Sequence, residues 1–206
     1  MPTDKHISQL LQRALKGAKR PYLLADHLAL TRMGPASISA IRDSGATYVD
    51  NPATHWVLQS FQKLSPEGSG GKERAQAASK VLDELVQLNK GADDRLRKVQ
   101  DAIQERIEKR REGQTDPAAN EWFDKFRDQW KKAQPMSISG ELDFDGYPDS
   151  PASPSPQRYL NSFLSLIDAL GEGEIVLVSG SPTIVNNVNK FTEDDGNVQT
   201  IVVGED

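Results

Sequence analysis

The stretch Pro21-Tyr22-Leu23-Leu24-Ala25-Asp26-His27-Leu28-Ala29-Leu30 decides the fold. Leu23, Leu24, Leu28 and Leu30 crowd together in it, and its density of apolar side chains predicts a helix, the second in a series. The first is capped by Thr3, with Ile7, Leu10, Leu11, Ala14 and Leu15 at helical spacing before Gly17. Gly34-Pro35 opens a third, carrying Ile38 and Ile41 and ending at Gly45. Asn51-Pro52 supplies the cap and first position of a fourth, with Trp56, Val57, Phe61 and Leu64. Residues 1–64 therefore read as an N-terminal bundle of short helices.

Ser65 to Gly71 is a flexible loop by composition. Beyond it, Ala75, Ala78, Val81, Leu82, Leu85 and Leu88 form one helical face that stops at Lys90-Gly91. A second helix starts at Asp93 or Asp94 with the narrow stripe Leu96, Val99, Ile103 and Ile107. The two are expected to fold back on each other as an antiparallel hairpin over 72–112. A helix over 117–133 follows and completes a segment 72–134. Residues 135–157 hold five of the twelve prolines and read as an acidic, Ser/Pro-rich linker.

In the C-terminal segment, 158–206, Tyr159, Leu160, Phe163, Leu164, Ile167 and Leu170 mark a last helix ended by Gly171. Glu174 to Val178 and Val198 to Val203 are β-branched runs and read as strands. Between them, Ser181-Pro182-Thr183 can start a helix, giving βαβ, or belong to a long hairpin loop. The expected fold is thus mainly α: a bundle of short helices plus an antiparallel helical hairpin, with a small two-stranded β or βαβ element at the C-terminus.

The 206 residues carry 25 Lys and Arg against 30 Asp and Glu, a net charge of −5, with a mean hydropathy of −0.60. The charge is polarised: about +3 over 1–50, +2 over 51–134 and −10 over 135–206. The chain as a whole is not a polycation built to coat nucleic acid. With no cysteine, disulfides, thiolate metal sites and a Cys nucleophile are excluded. No apolar run approaches the roughly 20 residues of a membrane span, and no signal peptide is visible, so a cytoplasmic location is expected.

Four groups of residues carry chemistry. Trp122, Phe126 and Trp130 recur at every fourth position, on one helix face, as aromatic anchors for a partner or for the protein's own core. Lys16, Lys19, Arg20, Arg32 and Arg42 surround a helix-turn-helix-like arrangement, with Leu24 to Leu30 first and Pro35 to Asp43 second, suited to duplex DNA. Gly180, Ser181 and Thr183 follow a strand and can offer backbone N–H groups to a phosphate, although neither a Walker A motif nor a dinucleotide fingerprint is present. Asp143, Asp145 and Asp149 flank Gly146 as oxygen ligands for calcium or magnesium, without the spacing of an EF-hand. The three histidines, His6, His27 and His55, fall on separate predicted helices, and Gly-x-Ser-x-Gly is absent.

Every enzyme signature is incomplete, whereas amphipathic helices with charged backs abound. The expected function is a helical protein–protein interaction or adaptor protein without catalytic activity or cofactor, its partner another protein or a second copy of itself. A DNA-binding regulatory protein is the alternative. A nucleotide- or phosphate-binding enzyme using residues 180–183 is the third.

Overall fold

A computed structural model describes residues 3–88, 156–171, 173–193 and 196–203. These build helices α1 (Asp4–Leu15), α2 (His27–Leu30), α3 (Pro35–Ser44), α4 (Pro52–Leu64), α5 (Gly71–Leu88), α6 (Pro156–Leu170) and α7 (Pro182–Phe191). Strands β1 (Tyr22–Ala25), β2 (Thr47–Tyr48), β3 (Ile175–Ser179) and β4 (Val198–Val202) complete the set.

The four strands form one parallel sheet in the order β2-β1-β3-β4, so the fold is α/β and the expectation of a mainly α bundle is overturned. The decisive segment is a strand. Tyr22 to Ala25 pair with Ile175 to Val178, and only His27 to Leu30 are helical. Every residue from Pro21 to Leu30 is buried. A central parallel strand is covered on both faces and shows no polar alternation, so its sequence looks like a buried helix.

The first arm of the expected hairpin is α5. Its second arm, the aromatic helix and residues 135–155 of the linker lie outside the described residues, and the last two linker positions, 156 and 157, open α6. At the C-terminus the two strands pair in parallel through α7, the βαβ form of the two arrangements left open by the sequence. Strands contributed by 1–64 and by 158–206 share a single sheet.

The helices begin where side-chain caps are available. Thr3 accepts the N–H of His6, Asn51 that of Ala53 and Ser181 that of Ile184. Helix α3 has Gly34 at its N-cap, which has no side chain to offer. The cap comes instead from Asp4 on α1, whose carboxylate accepts the N–H groups of Gly34, Ala36 and Ser37 at 2.8 to 3.0 Å and the Ser37 hydroxyl at 2.6 Å. Helix α3 ends on Gly45 with φ +68°, a conformation that favours glycine.

One core runs through the sheet and its helices, with Leu11, Leu23, Leu24, Ile41, Phe61, Leu82, Phe163 and Leu177 among its wholly buried members. Among the described residues no helix is long and apolar enough to cross a membrane.

Candidate functional site at the carboxyl edge of the sheet

Because all strands run the same way, their carboxyl ends share one edge. From β1 the chain crosses to β2 on one side, then returns past β1 to β3 on the other, so the connections diverge between β1 and β3. Open α/β sheets hold their ligands at that point, outside the carboxyl ends of the strands.

Asp26 follows β1 there and is completely buried. Its carboxylate accepts the Ser179 hydroxyl at 2.5 Å, the Gly180 N–H at 3.1 Å and the Ala29 N–H at 2.7 Å. One side chain thus caps α2 and ties the end of β1 to the end of β3. The Ser179 hydroxyl oxygen also accepts the Ser181 N–H at 2.9 Å.

Next to Asp26, the buried His27 gives its backbone N–H to the Tyr159 hydroxyl at 2.9 Å, and its Nδ1 lies 3.3 Å from the same oxygen. That oxygen is 3.1 Å from Thr54 Oγ1. The His27 ring stacks on Phe61 and meets the edge of Tyr159. Burial pushes the Tyr159 hydroxyl well above the ordinary phenol range; the Asp26 charge adds to the rise, and hydrogen bonds from Thr54 and the His27 N–H offset part of it. Tyr48, at the end of β2, is raised by burial and by the charges of Asp50 and Asp26. Both phenols therefore remain protonated at neutral pH.

At the rim, His55 Nε2 meets Asp50 Oδ1 at 2.8 Å, with 36% and 29% of the two side chains exposed. The hydrogen bond to Asp50 raises the imidazole above its usual value of 6.5; burial opposes this, and the charges of Asp50 and Asp83 add to it. Asn51 donates to the Ser162 hydroxyl at 2.8 Å, and Ser162 donates to the Tyr159 carbonyl at 2.6 Å, joining this rim to α6.

Of the residues singled out from sequence, Gly180 and Ser181 do lie at this edge, but the N–H of Gly180 is taken by Asp26 and that of Ser181 by Ser179. The Thr183 carbonyl accepts the Asn187 side chain at 2.9 Å. Arg32 is also here, half-buried, and donates to the Val203 carbonyl. Lys16, Lys19 and Arg20 are exposed in the loop before β1, at the opposite edge, and Arg42 is exposed in the last turn of α3. The five cations are therefore not gathered in one place.

The first helix of the expected helix-turn-helix is replaced by β1 and the four-residue α2, and Ser37 is buried against Asp4. Trp122, Phe126, Trp130, Asp143, Asp145 and Asp149 lie outside the described residues. Among the described residues no group of three or more metal-ligating side chains converges.

Sequence reading passed over Asp26, Asn51, Thr54, Tyr159 and Ser179 as site residues, and the pairing of His55 with Asp50. One signal was present: Asp26-His27 interrupts a run of otherwise apolar residues, and buried ionisable groups need partners. Comparison with protein-family models, with curated proteins and with solved structures found no match to this chain.

Proposed function

We propose that the protein binds a small polar ligand at the carboxyl edge of its sheet, between the ends of β1 and β3, with the Asp50–His55 pair on the rim able to exchange a proton with it. The supporting observation is the chain of buried polar groups gathered there: Asp26, His27, Asn51, Thr54, Ser179 and Ser181 each follow the end of β1, β2 or β3 or close that strand. Polar groups are costly to bury, and here they concentrate where open α/β sheets take ligands. The Asp26 carboxylate already holds the N–H of Gly180, which favours a hydroxyl- or amine-bearing ligand over a phosphate. A carboxylate-bound imidazole with its second nitrogen uncommitted to that carboxylate suits acid–base work near neutral pH.

The test is thermal unfolding across a panel of sugars, nucleosides, polyamines and nucleotides. A ligand that binds only the folded state raises the melting temperature by mass action. A sugar, nucleoside or polyamine is expected to do so in the native protein and less in Thr54→Val and His55→Gln. Silence across the panel, or stabilisation by nucleotides that persists in both variants, overturns the reading.

A second reading, a protein–protein interaction module, draws on Trp56 and Leu64, which are 40% and 41% exposed on α4. Light scattering tests it in its self-associating form. Concentration-dependent mass that falls to the monomer value in Trp56→Ser with Leu64→Ser supports it, and a constant monomer mass removes that form.

A further inference from the structure

The amino edge of the sheet, opposite the site above, carries an open cavity of about 370 Å³, within the range of small-molecule sites. The loop from α1 to β1 forms one wall, and the residues leading into β3 and β4 form the other. Its partly exposed apolar lining is Ala14, Ala18 and Val198, while Ile175 and Val176 behind them are buried. Its charged lining is one cation, Lys16, and one anion, Glu174, and neither enters an ion pair among the described residues.

The acceptors are held in place. Glu174 Oε2 accepts the Lys19 N–H at 2.6 Å, leaving Oε1 uncommitted. Asn197 donates its side-chain NH₂ to the Gly171 and Gly173 carbonyls, both at 2.8 Å, which fixes the amide and leaves Oδ1 as an acceptor.

We infer that this cavity binds a zwitterion, specifically a free aliphatic α-amino acid, whose carboxylate meets Lys16, whose ammonium meets Glu174 and whose side chain rests on Ala14, Ala18 and Val198. A ligand with a single charge satisfies one wall and strips water from the opposite charge without replacing it, whereas a zwitterion answers both. The inference is independent of the ligand proposed for the carboxyl edge.

The test is an amide-resolved NMR titration of the whole protein with L-leucine, 4-methylpentanoate, which lacks the amino group, and 3-methylbutylamine, which lacks the carboxylate. Saturating shifts at Gly17, Ala18, Ile175 and Val198 are expected with leucine, and each single-charge analogue is expected to bind about tenfold more weakly or worse. Lys16→Ala and Glu174→Gln, the latter keeping an acceptor for the Lys19 N–H, are each expected to weaken leucine about tenfold. Ala18→Trp, which fills the cavity and leaves both charges in place, should abolish the shifts. Leucine that fails to saturate, that binds no better than either analogue, or that binds Ala18→Trp unchanged overturns the inference.

Discussion

The Asp26 carboxylate accepts a hydrogen bond from the Ser179 hydroxyl at 2.5 Å, joining the ends of two adjacent parallel strands 153 residues apart in the chain. The same carboxylate caps α2 and holds the Gly180 N–H. Asp26→Ala leaves the buried Gly180 and Ala29 N–H groups unsatisfied, while the Ser179 hydroxyl can turn to the Ser181 carbonyl 3.1 Å away, and is expected to destabilise the fold by about 3 kcal/mol, with Ser179→Ala costing about 1–2 kcal/mol. Urea unfolding of both and of the double variant checks this. The double variant should lose less than the sum, because the two residues share one interaction.

Gly180 lies under α2. A Cβ added to it overlaps the Cβ of Leu28 and comes within 3.1 Å of the Arg32 guanidinium. Its backbone φ is not in the left-handed region, so the requirement is space rather than conformation. Gly180→Ala should cost about 1–3 kcal/mol by overpacking, and Gly180→Ala combined with Leu28→Gly, which removes the overlapping Cβ, should lose less than the sum of the two single substitutions in chemical denaturation.

The sequence made most helices legible and concealed the sheet, for physical reasons that differ by element. Thr3, Asn51-Pro52 and Ser181-Pro182 announce α1, α4 and α7 because capping chemistry is local. β1 has no local signature, since burial on both faces removes the alternation that marks a half-buried strand. β2 is two residues long, too short to carry a pattern. With β1 read as helix, β3 and β4 looked like a minor appendage instead of half of one sheet. The candidate site was hidden for the same reason: Asp26, Thr54, Tyr159 and Ser179 meet only through strand order. Gly180 and Ser181 were found because a strand-to-helix turn is visible locally, but the acceptors occupying their N–H groups are not.

Asp4 replaces the cap that Gly34 lacks. Burial raises its carboxyl, but hydrogen bonds from Ser37, Ala36 and Gly34 outweigh this and hold it below the usual 3.8. A carboxyl depressed in the folded state adds stability above its unfolded value and loses it as pH falls through the folded one. The native protein should therefore lose stability in the window below about pH 3.8 more steeply than Asp4→Asn. At neutral pH Asp4→Ala should cost about 1 kcal/mol, the usual worth of a helix cap, measured by denaturant titration at each pH.

His55 shows the opposite sign. Its folded-state value is raised above 6.5, chiefly by the hydrogen bond to Asp50, so its contribution is complete below 6.5 and is lost as pH rises through the folded value. The pair is partly exposed, which limits the effect to less than about 1 kcal/mol. Unfolding measured on both sides of neutrality should show this loss in the native protein and a flatter profile in Asp50→Asn and His55→Gln. NMR titration of the His55 ring should show its midpoint falling in Asp50→Asn.

The pairing of β1 with β3 underlies the shared sheet, the strand ends that Asp26 joins and the edge that holds the candidate site. The direct measurement is interstrand backbone nuclear Overhauser contacts in isotope-labelled protein. Parallel-strand contacts are expected between Tyr22 to Ala25 and Ile175 to Val178, in the register that sets Leu23 opposite Val176 and Leu24 opposite Leu177. Helical contacts along Tyr22 to Ala25, with no contact to residues 175–178, would contradict it.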